Sequence, residues 1–152
     1  MRKITLQFLF TVLATFIGFA NELRNNDFAP NVNYCIPSFS NNMDYIKDVT
    51  TTGGLTNLNN LNTGAGTNGS GYSDYTSKQL VITQGTNASF NVNLVGFTNY
   101  LSIWIDKNND GAFNHPSERV FNSLIDATSH SGSLNTNTLT AGTYRLRIMA
   151  HL

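Results

Sequence analysis

"SFNVNLV", Ser89 to Val95, and "YLSIWI", Tyr100 to Ile105, decide the fold class. In the first, Phe90, Val92 and Leu94 recur at every second position, with Asn91 and Asn93 between them. A period of two is that of a strand with one apolar and one wet face. In the second, Leu101, Ile103 and Ile105 alternate with Tyr100, Ser102 and Trp104. Both sets are largely apolar, which predicts a central strand buried on both sides.

Strands continue in both directions. "KQLVIT", Lys78 to Thr83, reads as a strand, and the turn chemistry of "QGTN", 84–87, joins it to Ser89–Val95 as a hairpin. Upstream, "MDYIKDVTT" offers Tyr45, Ile46 and Val49 as a first strand. Residues 53–71 are rich in Gly, Asn and Thr and read as a long loop. Downstream, "RVFNSLI" reads as a strand and "HSGSLNTNTL" as a polar one at a sheet edge. "AGTYRLRIMAHL" closes the chain after a turn at 140–142, with Tyr144, Leu146 and Ile148 on one face and Arg145 and Arg147 on the other. Short strands separated by Gly/Asn turns predict an all-β fold, an antiparallel β-sandwich of Ig or jelly-roll type. Charged residues are only 12% of the chain, so its polarity comes from Asn, Thr, Ser and Gly, which are poor helix formers. No helix is expected after residue 20.

The first twenty residues follow other rules. Arg2 and Lys3 precede an apolar run from Ile4 to Phe19, and Gly18 and Ala20 suit cleavage after Ala20. The run is about 16 residues, short of the ~20 that a spanning helix needs. The chain therefore divides into a helical signal peptide at 1–20, a polar, Asn-rich linker at 21–33, and one domain at 34–152. This predicts a secreted or cell-surface protein with no membrane span after signal cleavage. Lys plus Arg equals Asp plus Glu, and loss of Arg2 and Lys3 leaves the mature chain at −2. Such a balance excludes the phosphate neutralisation that nucleic-acid binding requires.

Cys35 is the single cysteine. Exported proteins normally pair their cysteines, so a lone one is a free thiol, half of an intermolecular bridge, or a residue whose partner is missing. It is a poor candidate nucleophile, because His115, His130 and His151 all lie far from it in sequence.

The next stretch, "WIDKNNDGAF", Trp104 to Phe113, carries the most specific chemistry. Calcium is a hard cation that takes six to eight oxygen ligands, and a tight loop can supply them from alternating side chains. With Asp106 as position 1, Asn108 is position 3 and Asp110 position 5. Gly111 permits the sharp turn, Ala112 offers its carbonyl at position 7, and Asn114 sits at position 9. A helical calcium loop ends in a bidentate Glu at position 12. Here that position is Ser117, and Glu118 follows it, which suits a loop leaving into a strand; Pro116 also opposes an exiting helix. A metal-free polar turn would use the same residue types. The expected ligands of a structural Ca2+ are Asp106, Asn108, Asp110, Ala112 and Glu118. His115, in the same loop, is expected to face solvent. Asp74, beside Tyr72 and Tyr75, is a candidate ligand-binding or metal-supporting residue, but reads better as a polar loop residue packed under aromatic side chains.

Taken together, these motifs resemble the GEVED domain, a module of secreted and surface proteins of Bacteroidetes-type bacteria. The correspondence runs through "YCIPS" at 34–38, "YIKDVT" at 45–50, "NGSGYSDYTS" around Tyr72, Asp74, Tyr75 and Thr76, "WIDKNNDGAFNHPSERVF" at 104–121, and "GTYRLRIM" at 142–149. It spans roughly residues 34–150. In the family a second Cys and a Gly-Glu-Val-Glu-Asp-Tyr segment follow the Arg-x-Arg strand, whereas this sequence stops at "MAHL". The resemblance therefore implies a sandwich lacking its last strand, with the partner of Cys35 in the missing segment. The family is an accessory module with no established chemistry of its own. The sequence offers no nucleophile–base order, zinc-spaced His/Cys set or phosphate loop. The expectation is a non-catalytic, secreted, calcium-binding β-sandwich module with an adhesion or spacer role, its partners being cell-surface glycans or proteins. The alternative is a carbohydrate-binding module that uses Tyr72, Tyr75, Tyr100 and Trp104 as stacking platforms.

Overall fold

In the computed structural model, residues 33–37, 43–66 and 71–152 are described. The leader expected at 1–20 and, apart from Asn33, the linker at 21–33 lie outside them. All the described residues belong to one unit, Asn31–Leu152.

Seven strands form among these residues: β1 (Tyr45–Thr52), β2 (Asn59–Asn60), β3 (Ala88–Val95), β4 (Tyr100–Ile105), β5 (Arg119–Asn122), β6 (Ser129–Leu134) and β7 (Leu146–His151). They make two antiparallel sheets, ordered β2-β1-β3-β6 and β5-β4-β7. No helix occurs among the described residues. The all-β, sandwich-like architecture read from strand periodicity is the one that forms. β6 does lie at an edge, as its polar sequence predicts, and β7 forms an edge of the second sheet.

β3 follows its two-residue period closely. Ala88, Phe90, Val92 and Leu94 are buried. Asn93 lies on the wet face, where its side-chain amide donates to Asp48 and its carbonyl accepts from Ser129 Oγ. From the other sheet, Leu101 and Ile103 meet this row in the core with Val49 and Leu134, and both are fully buried. Each such side chain taken out of water contributes about 1.5–3 kcal/mol. The Phe90 and Phe121 rings cross the gap between the sheets edge-on, 4.7 Å apart.

The pairing departs from expectation in three places. Lys78–Thr83 forms no strand; Val81 makes a single bridge, to Thr56, and β3 is flanked by β1 and β6 instead of a hairpin partner. Residues 53–66 are not wholly loop, since Asn59 and Asn60 pair with β1. β4 is central but buried on one side only: Tyr100 is 37% exposed and Trp104 half-buried on the outer face. Ser102 is the buried member of that face. Its hydroxyl lies between Asn122 Oδ1 at 2.7 Å and His151 Nε2 at 3.0 Å, so neighbouring side chains cover and satisfy it.

The chain passes from the first sheet to the second through Gly96, whose φ of +98° is readily reached only without a side chain. A Cβ there would also run into the Asp44 carboxylate and the Met43 carbonyl. Asp44 Oδ1 accepts the Phe97 N–H at 2.7 Å, which holds the crossing in place. β4 then runs to the opposite end of the sandwich and delivers residues 106–118.

Candidate metal centre

The loop between β4 and β5 is closed at its base by the sheet. The Ile105 N–H donates to Glu118 O at 2.9 Å and the Asp106 N–H to Arg145 O at 3.0 Å, extending both ladders by one bond. The Asp106 side chain, fully buried, turns back into the loop. Its Oδ2 accepts from the Gly111 N–H at 2.9 Å and its Oδ1 from the Asp110 N–H at 3.2 Å. Asp110 Oδ1 accepts from the Ala112 N–H at 2.8 Å. This winding needs left-handed backbone at Asn109 (φ 56°) and Gly111 (φ 86°), residue types that tolerate it.

Glu118 closes the loop from the far side. It is 3% exposed, and its two oxygens accept the N–H groups of Lys107, at 2.8 Å, and Asn114, at 2.7 Å. Asp106, Asp110 and Glu118 thereby bring one carboxylate oxygen each to within 4.8 Å of one another. Two unit like charges about 5 Å apart repel by roughly 3 kcal/mol even at an effective dielectric near 20. Among the described residues, no Lys or Arg ion-pairs with any of the three. Lys107 Nζ turns instead to the Ser117 carbonyl, at 2.8 Å.

Hydrogen bonds compensate part of this charge. The Asp110 carboxyl is held below its ordinary range chiefly by the Ala112 N–H, then by the Asn108 side chain, with Asn114 adding to the effect and burial opposing it. Asn108 and Asn114 direct their NH2 groups to Asp110 Oδ2, at 2.8 and 3.2 Å. Ala112, the remaining residue of the expected ligand set, is exposed in the same turn.

The donor set is made of oxygens, which fits a hard divalent cation and not a thiolate- or imidazole-bound one. Such a set can fix a loop. The loop itself offers no pairing of nucleophile and base. His115 is exposed, as expected, ahead of Pro116. Asp74 is a polar loop residue that accepts the Thr76 N–H in a local turn; it is exposed, against the expectation that it packs under aromatic side chains. Of the aromatic residues proposed as stacking platforms, Tyr75 donates to Thr63 O at 3.3 Å and Tyr100 stacks on His151 in the second sheet.

Sequence reasoning did not find the part played by Tyr34. Its hydroxyl donates to Asp106 Oδ2 at 2.7 Å across 72 residues of chain. Burial first, and the hydrogen bond to Asp106 second, push the Tyr34 phenol up to about 12. The "YCIPS" motif was its only sequence signal, and nothing in that motif names a partner.

The GEVED domain family model matches residues 100–151, about a third of the chain, from the start of β4 to the end of β7. The match contains the whole acidic loop and the Arg-x-Arg strand; the "YCIPS" and "GYSDYTS" segments lie outside it. No curated protein and no solved structure matches.

Proposed function

We propose, from the acidic loop and the GEVED match over residues 100–151, that this chain is a secreted, non-catalytic β-sandwich module whose β4–β5 loop is fixed by calcium. The observation that carries the reading is the approach of Asp106, Asp110 and Glu118 to within 4.8 Å, with no Lys or Arg ion-paired to them among the described residues. Two of the three are buried, and a divalent cation among them turns mutual repulsion into attraction. Rotation of the Asn108 amide would present its oxygen where its NH2 now meets Asp110, and the Ala112 carbonyl is the fifth expected ligand. Three charged ligands suit the modest affinity of extracellular calcium sites.

The role that follows is mechanical. Asp106 directly follows β4, Glu118 directly precedes β5, and the Asp106 N–H is bonded to Arg145 just before β7. A cation there would join all three strands of the second sheet at one end, as an adhesive or spacer module under load requires.

Thermal melting in calcium and in chelator tests this. At a calcium concentration one hundred times Kd, linkage predicts about 2.7 kcal/mol of added stability. For a domain of this size that is a rise in Tm on the order of 10 °C. Asp110→Ala should abolish the rise and lower the chelated Tm less than Asp106→Ala does, because Asp110 is exposed. Asp106→Ala should abolish it and also lower the chelated Tm, because its buried carboxylate organises the loop. Identical wild-type melts in calcium and chelator would end the calcium reading.

A further inference from the structure

Residues 33–37 lie far from the acidic loop in sequence and meet it in space. Besides the hydrogen bond to Asp106, the Tyr34 ring packs on Phe113 of the loop, with centroids 5.3 Å apart and planes at 35°. The Arg145 guanidinium lies over the Tyr34 ring, 5.1 Å from its centroid, and that of Arg147 lies over the Phe113 ring, 4.3 Å from its centroid. Arg147 also donates to the Cys35 carbonyl at 2.6 Å. The N-terminal segment, the loop and the approach to β7 therefore form one clasp. Arg145 and Arg147, read from sequence only as the face opposite Tyr144, Leu146 and Ile148, are its cationic half.

We propose that Tyr34 is a positioning residue for the cation site, and that cation binding and docking of the N-terminal segment are coupled through it. The proposal rests on the calcium reading above. Asp106 Oδ2 accepts from both the Gly111 N–H and the Tyr34 hydroxyl. The amide comes from inside the loop; the hydroxyl comes from outside it and fixes the plane of the carboxylate. That plane sets the direction of the remaining lone pairs, the ones a cation would use. Hydrogen-bonding partners of this kind behind a metal ligand typically change affinity by about 10–100-fold. Linkage makes the effect reciprocal: if docked Tyr34 raises cation affinity by some factor, the cation raises docking by the same factor. Ring packing alone does not require a tyrosine, since phenylalanine would pack on Phe113 and under Arg145 equally well. The hydroxyl is what addresses Asp106.

Two measurements on the full chain test the coupling. Calorimetric calcium titration of wild type and Tyr34→Phe reads affinity. A nitroxide on Cys35, the single cysteine, whose side chain is exposed, reads segment docking without altering Tyr34. The expected result is a Kd raised about tenfold or more in Tyr34→Phe, with calcium slowing the nitroxide in wild type and leaving it unchanged in the variant. An unchanged Kd in Tyr34→Phe overturns the proposal, as does a wild-type nitroxide that ignores calcium while calorimetry records binding. Either outcome leaves the calcium reading standing. No calorimetric binding by wild type overturns both.

Discussion

Asp48 shows how one side chain ties a sheet to a loop. It lies on β1 at a register shift, where Ile46 pairs with Leu94 and Asp48 with Asn93. Oδ1 accepts the Asn62 N–H at 2.9 Å and Oδ2 the Asn93 side-chain amide at 3.3 Å. The Asn62 N–H is the main reason its carboxyl lies below the ordinary 3.8, with Asn93 and Lys47 assisting and burial opposing. A carboxyl depressed in the folded state contributes stability above its unfolded value. That contribution is lost as the pH falls through the folded value. Asp48→Asn should therefore lower Tm at neutral pH, with the difference from wild type closing as the pH falls below 3.8. Melting curves for both proteins across this range provide the check, and a gap that persists in acid would assign the effect to shape instead of charge.

At the scale of elements, β6 is positioned by what it lacks. Gly132 pairs with Phe90, and a Cβ at Gly132 would sit 3.1 Å from both the Phe90 and the Phe121 rings. The edge-to-face ring pair that links the sheets thus occupies the space a side chain would need. Gly132→Val should cost about 1–3 kcal/mol by overpacking, measured by denaturant unfolding, and Phe121→Leu should recover part of the loss when combined with it. Additive effects of the two substitutions would show that the rings and the glycine are not in competition. The bulge in β4–β5 works in the opposite sense, by adding backbone. Ser102 pairs with Asn122 and Ile103 with Phe121, but Trp104 pairs with Arg119. The extra residue, Val120, lets Arg119 reach Asn122 Oδ1 at 3.2 Å along the outer face.

The whole molecule depends on a thin core between its two sheets. Val49, Phe90, Val92, Leu94, Leu101, Ile103 and Leu134 form its buried cluster. Leu101 comes from the second sheet, is fully buried, and leads toward the acidic loop along β4. Leu101→Ala should cost about 2–5 kcal/mol. Calcium should raise the Tm of this variant by about as much as that of wild type, since the cavity and the loop are at different ends of β4 and distant effects add. A calcium increment that disappears in Leu101→Ala would mean that the loop is organised only when the core is intact.

Much of this arrangement could be read one residue at a time. The alternation of Phe90, Val92 and Leu94 specifies a strand and its buried face, because successive side chains on extended backbone must point opposite ways. The acidic spacing from Asp106 to Asp110, followed by Gly111 and Glu118, marks the loop, because its hydrogen bonds are closed by near neighbours. Long-range partners left no such mark. "KQLVIT" has the composition of a hairpin strand, yet β3 pairs with β1 and β6, since its register is chosen by which apolar faces can close a common core. Trp104 and Tyr100 look as apolar as Leu101 and Ile103, but two sheets share only one interior, so one row had to face outward. Tyr34 met Asp106 only when the sandwich brought its start and its acidic end together. Local periodicity is a property of the backbone, whereas the choice of neighbours depends on competition among all the surfaces the chain can bury.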